Sequence, residues 1–426
     1  MSRPVRKVIM NRGTMQKTSF PILTIAVVIL GVLAVIKPPQ PIEHTDLVNG
    51  CGWDRDTLAR EASGFPGITE IITGRFERPP AMFYEMRLER VARELQTAPD
   101  NLGLYDDACV ACDRLNRQDE AIEWMEGKRA ALDRLAAKGT PNTDHEYRYL
   151  ANLGTVYIHR WLKNGADRDD LSDVEQAYEL IEAAIELNPD AHFGRERYQL
   201  LAIKWIRDGF PHSTQSWTQP SIVETVMVPD RLSGMNLFAN NGFDDAAEGF
   251  SGLIALGNAW ESVDIFYALS VVFHDKAHAS LNLLAQNRVA ELVQSGKRSL
   301  SPDFEYDHIN QNFIDGEFMI DLSGAYESKL SDNYYPKARK EADDWVKSRN
   351  DYALERLKRG EHPDTHPDFW GQWTETSSPP KMPGRPDMLI LPGAIITVLG
   401  IMALIALLIL RLIYKGLRKT RRSTPA

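Results

Sequence analysis

The chain has 426 residues, 43% of them apolar and 25% charged, a globular balance that excludes general disorder and allows one large core or two of moderate size. Residues 1–37 and 388–426 each hold six Lys/Arg and no Asp or Glu, so the other 37 of the 49 basic residues share 38–387 with all 59 acids, a formal net charge of −22. That acidity excludes general attraction to nucleic acid or anionic headgroups and points to proteins or basic ligands as partners.

In chain order, a basic tail (1–17) with Arg3, Arg6, Lys7, Arg12 and Lys17 precedes 19 uncharged residues, 18–36, which "KPPQP" stops. At about 1.5 Å per residue this run just crosses a hydrocarbon core about 30 Å thick, and it reads as a transmembrane signal anchor. "VLA" at 32–34 leaves a cleaved signal peptide as the alternative. At the other end, 388–410 is uncharged for 23 residues, and Arg411, Lys415, Arg418, Lys419, Arg421 and Arg422 follow. A second membrane helix is expected over 388–413, with a basic tail over 414–426. The positive-inside rule then puts both termini in the cytoplasm and the bulk of the chain in the periplasm or outside, on a protein of the cell (inner) membrane.

Between the spans, 37–78 reads as an irregular linker, and from 79 to about 298 apolar residues recur at three- and four-residue spacing with few alternating runs. The pattern predicts an all-α region: a first lobe over 79–207, a linker over 208–231, a second helical lobe over 232–360 and a Pro-rich stalk over 361–387. "TDHE" (143–146) and "SDVE" (172–175) fit the capping box and mark two helix starts. Cys109 and Cys112 have the spacing of a redox pair but fall in mid-helix on the packing face, where a thiol serves as small apolar core.

Within the first lobe, Leu150, Leu153, Gly154 and Tyr157 form a packing stripe on one helix. The next helix answers with Ala177, Ile181 and Ala184 and ends at Pro189, small residues making room for a large one. The earlier stretch 102–135 carries Ala121 and Met125 at the matching places, with Lys128 where a second small residue is expected, which predicts a looser hairpin. This Leu-Gly-x-x-Tyr followed by Ala-x-x-x-Ile-x-x-Ala-x-x-x-x-Pro resembles the tetratricopeptide repeat (TPR) family. The 23 residues from Gly154 to Ala177 exceed the unit of about 34 residues by roughly a dozen, which makes "KNGADRDDLSD" (163–173) an inserted acidic loop.

The resemblance implies a helical-hairpin solenoid, flanked here by the two membrane helices, whose concave groove binds extended peptides or partner helices. Arg148, Asn152, Thr155 and His159 share one helix face, and Asp106 and Asp113 occupy the corresponding face of the earlier unit. These six form the candidate partner-binding groove, with a solvated polar face as the plain alternative. Further on, 193–206 reads as a stacking helix, 245–292 as two or three helices, and 334–358 as one charged amphipathic helix.

His274 and His278, four apart in "HDKAH", are a weak candidate for metal binding on one helix face. Two histidines do not make a catalytic centre, and the sequence has no HExxH, P-loop, Gly-x-Ser-x-Gly or GxGxxG after a strand. No catalytic residue and no cofactor are assigned. The expected function is a membrane-tethered, exported scaffold that binds a protein or peptide partner. A metal-dependent envelope hydrolase and a receptor relaying ligand binding are the alternatives.

Overall fold

In the computed structural model the described residues are 66–189, 195–212, 220–225, 245–274, 278–305, 324–375, 377–384 and the single positions 402, 405, 407, 409 and 411. The chain separates into Met1–Asp46, which lies outside the described residues, and Leu47–Ala426, to which everything below belongs. All regular elements among the described residues are helical: α1 (Ile68–Thr73), α2 (Ala81–Leu95), α3 (Leu102–Arg114), α4 (Gln118–Ala137), α5 (Thr143–Lys163), α6 (Ser172–Leu187) and α7 (Arg195–Arg207) come first. They are followed by α8 (Ala246–Ala255), α9 (Val263–Val272), α10 (Ala279–Gln294), the short α11 (Gly324–Ser328) and α12 (Tyr335–Lys358).

Among the described residues no helix is long and apolar enough to cross a membrane. The two expected spans lie outside the described residues except for Met402, Ile405, Leu407 and Ile409, each helical and more than half exposed, and Arg411.

α3 and α4 form one hairpin and α5 and α6 the next. In both, rising residue numbers on one helix meet falling numbers on the other: Asp106 meets Lys128 and Asp113 meets Gln118, while Gly154 meets Ile181 and Arg160 meets Asp173. The pairs are therefore antiparallel. Gly154 is the point of closest approach, because a Cβ built there falls 2.9 Å from Ile181 Cδ1. Ala177, Ile181 and Ala184 are fully buried, as are Ala121 and Met125; Leu153 is buried, Tyr157 half-buried, and Pro189 exposed just beyond the helix end. The small-large packing follows the sequence pattern.

Three local expectations need correction. The α5 cap is Asn142, whose side chain accepts from His145 N (3.1 Å), so Thr143 is already helical. α6 has no box at Ser172; Asp170 takes the Ser172 N–H instead (3.0 Å). Lys128 does not loosen its hairpin, because its stem is buried and its ammonium reaches Asp106 Oδ1 at 2.5 Å.

The two lobes are not held apart by a linker. Val174, Ala177 and Ile181 of α6 share one core with Tyr198 and Trp205 of α7, Phe250 of α8, Phe266 of α9 and Leu284 of α10. All ten residues of α9 are buried, as a helix apolar on every side must be. The region expected as an N-terminal linker supplies α1, whose Ile71 and Ile72 are fully buried in that core. A second core joins α2, α3 and α4 to Ala353 and Leu357 of α12.

The supposed stalk is largely a packed return segment. Phe369 and His362 are buried, and His362 Nε2 donates to Phe83 O (3.0 Å). Asp364, with a side chain 1% exposed, receives a two-pronged bond from Arg87 (2.9 and 2.7 Å) and a third from Arg90 (2.8 Å). Arg349 of α12 stacks 3.7 Å over Trp370. A Pro-rich composition suggested a solvated spacer; the aromatic residues and Asp364 anchor it.

Candidate functional site

The residues proposed from the sequence as a groove fall inside the hairpin stack. Asp106 and Asn152 are each 1% exposed, and Asn152 Nδ2 donates to Asp106 Oδ1 at 2.9 Å. One helical stretch further along, His159 Nδ1 meets the Asp113 carboxylate at 2.9 and 3.0 Å. Thr155 Oγ1 accepts from Gln199 Nε2 of α7 (3.0 Å), and Arg148 pairs with Asp144 (2.6 Å). Asp106, Asp113, Asn152 and Thr155 therefore bridge the first helices of successive hairpins and do not line an open face. The physical reason is direct contact between those helices: a polar face on each is buried against the next, and these four side chains find partners there.

Charges follow the burial. Desolvation lowers the Lys128 pKa, opposed by Asp106 beside it. At Asp113 burial raises the pKa, but the charge and hydrogen bond of His159, with Arg114 and Gln118, outweigh it and hold the carboxyl below its usual range. Cys109 and Cys112 are free thiols, both buried, and desolvation raises both, so neither is the activated member of a redox pair.

The histidine pair is also rearranged. His274 lies just past α9 and His278 just before α10, so the two are not successive turns of one helix. His274 is buried, and the rings of Phe273 and His278 are 6.0 Å apart. Among the described residues no cluster of three His, Cys, Asp or Glu side chains could hold a metal ion.

An open cleft of about 580 Å³ lies elsewhere, where the end of α5 and one face of α7 meet the α8–α9 connection and the 297–300 segment. Its apolar lining includes Ile203 and Ile206 of α7, Leu253 of α8 and Ile265 of α9. The volume is in the range of ligand pockets. Of the six sequence-proposed residues only His159 lines it, its Nδ1 already held by Asp113. Nearby, Arg114 donates to Leu256 O across the α3–α8 gap.

The rim is charged. Lys297 pairs with Glu261 at 2.5 Å. Asp264 sits at the start of α9, almost fully buried, and accepts from Ser299 Oγ and from Leu300 N (3.0 Å), which ties the 297–300 segment to the cleft floor. Burial pushes its carboxyl up to about 6, against those two hydrogen bonds. Lys163 donates to Asn116 O and Arg298 is exposed; among the described residues neither forms an ion pair with a carboxylate.

Sequence reasoning missed this cleft because its walls come from six separated stretches of chain, and none carries a motif. A hint was present in the acid Asp264 within an otherwise apolar helix, a placement that demands partners. Compared with known proteins, the chain matches no family model, no curated protein and no solved structure.

Proposed function

We propose that the chain is a membrane-tethered, TPR-like helical scaffold, exposed outside the cytoplasm, that holds a protein partner in the cleft between its hairpin stack and the helices that follow. The cleft carries this reading: it is large enough for several side chains, apolar at its floor and polar at its rim, as partner pockets are. The tether rests on the uncharged runs at 18–36 and 388–410 with their basic flanks. The TPR-like organisation is supported by the small-large packing of Gly154 against Ile181. The absence of recognised catalytic motifs from the sequence favours binding over chemistry.

Ala202 lines the cleft and is only partly buried, so Ala202→Trp fills the space from one wall. Full-length wild type and Ala202→Trp, expressed in membranes and photocrosslinked, decide the matter. Partners recovered with wild type are expected to be lost with the variant at unchanged helicity. Equal recovery from both overturns the cleft as the seat of binding.

A further inference from the structure

Two pins hold the return segment to the body beyond Glu375. At the first, Ser377 Oγ donates to Glu341 Oε1 of α12 (2.7 Å), and Ser377 O accepts from Arg75 (3.4 Å). At the second, Met382 packs against the larger core and Pro383 O accepts from the Tyr326 hydroxyl of α11 (2.9 Å). That hydroxyl accepts in turn from Ser280 Oγ at the start of α10 (3.1 Å), and Tyr326 is 2% exposed, so the second pin is built into the body. Gly384 then emerges exposed, with nothing within 4 Å of a Cβ built on it.

From Pro383 to Met388, where the second uncharged run begins, the chain has only the four residues 384–387 in between. Fully extended, that path reaches at most about 18 Å. Headgroups take up about 5 to 8 Å on each side of the hydrocarbon core. With the run at 388–410 across a bilayer, the Ser280–Tyr326–Pro383 corner therefore stands within about 10 to 13 Å of the headgroup layer. No comparable limit acts at the other end, because the path from Ile36 to Pro66 can extend to about 100 Å. Lys329 and Lys381, close in sequence to the two halves of the second pin, are exposed and form no ion pair among the described residues; Glu327 is the exposed acid next to Tyr326.

Resting on the membrane tether in the reading above, we propose that this corner is the membrane-apposed surface of the body and that its partner is the phospholipid headgroup layer. The short 384–387 link keeps it there. The body then stands on the bilayer instead of swinging from a stalk.

The full-length chain, with a fluorescent amino acid in place of Glu327 or of Lys381, is reconstituted in phosphatidylcholine vesicles with and without a share of lipid carrying a nitroxide on its headgroup. Emission from both positions is expected to fall at least twofold when the nitroxide lipid is present. Twenty Gly/Ser residues inserted after Gly384 lengthen the link to a root-mean-square reach of about 25 Å and should restore most of the emission at unchanged helicity. Unquenched labels at both positions overturn the proposal. Quenching at Lys381 without quenching at Glu327 also overturns it, since the segment would then lie near the lipid with the body standing off. Quenching that persists in the lengthened chain overturns the link as what holds the corner in place. Flotation after a carbonate wash separates the two readings: a chain that leaves the vesicles sinks the tether itself, whereas one that floats with unquenched labels keeps the tether and sinks only the apposed corner.

Discussion

Asn152 donates to Asp106 across 46 residues of sequence, and His159 meets Asp113 across the same 46. Two equal steps mean that α3 and α5 run parallel and in register, each the first helix of its hairpin. The Gln199–Thr155 bond continues the ladder to α7 at a step of 44. The polar face shared by these helices is thus a row of internal rungs that fixes how one hairpin sits on the next.

Removing the acid from the first rung should be severe. Asp106→Ala strands the Lys128 ammonium, which has no exposed surface, and breaking a buried pair from one side costs about 3 to 5 kcal/mol. Asp106→Leu combined with Lys128→Met removes both charges and should recover most of that loss. Urea midpoints of the two variants, followed by far-ultraviolet circular dichroism, check this; equal midpoints contradict it.

Gly154→Ala should lower stability, although alanine is the better helix former by about 1 kcal/mol. The new methyl would lie 2.9 Å from Ile181 Cδ1 and Cγ1 and 3.2 Å from Leu180 Cβ, and overpacking of this kind costs about 1 to 3 kcal/mol. Adding Ile181→Val should return part of the loss. Thermal melts of the single and double variants give the sign directly.

Asp264 makes stability depend on pH. Its folded pKa, about 6, lies above the ordinary value of 3.8, so the native state holds a proton that the unfolded chain has already released. The stabilisation by this proton is full below about pH 4, and it is lost as pH rises through 6. At about 1.4 kcal/mol per pKa unit, wild type should lose on the order of 2 to 3 kcal/mol over that interval relative to Asp264→Asn. Denaturation midpoints at pH 4 and pH 7 for both chains test it, and parallel pH profiles would rule it out.

Asp364→Ala should free the return segment. The change leaves Arg87, fully buried, and Arg90 without their shared carboxylate, a loss of about 3 to 5 kcal/mol. The signature is local: faster hydrogen exchange and protease cleavage at 361–375, with α5 and α6 retaining wild-type protection. Uniformly faster exchange through the whole chain would contradict the local anchor.

Helix positions and the α5–α6 packing were legible because a period of three to four and a Gly–Ile contact are properties of neighbouring residues. The direction of the polar face was not. Arg148, Asn152, Thr155 and His159 have the spacing of a solvated stripe, and only the register of α3 against α5 turns it inward. The return segment was misread for a similar reason: proline content speaks of backbone stiffness, whereas Asp364 is held by Arg87 of α2, 277 residues away in sequence, and Phe369 by Arg356 of α12. The cleft depends on six stretches meeting, which no local pattern encodes.

The docking of α1 has a consequence for synthesis. Thr73 O accepts a bond from Arg339, 266 residues later, and Arg75 reaches Glu341 and Glu375. At about 5 to 20 residues per second, roughly 15 to 50 s separate the emergence of Ile71 and Ile72 from that of the helix whose Arg339 caps them. During that interval Ile71 and Ile72 can reach only the part of their packing that α8 and α10 supply, while the α3–α6 hairpins can already close. The hairpins can therefore close first on the ribosome, and the capping of α1 by Arg339 is a later step that leaves α1 open to chaperones until α12 emerges.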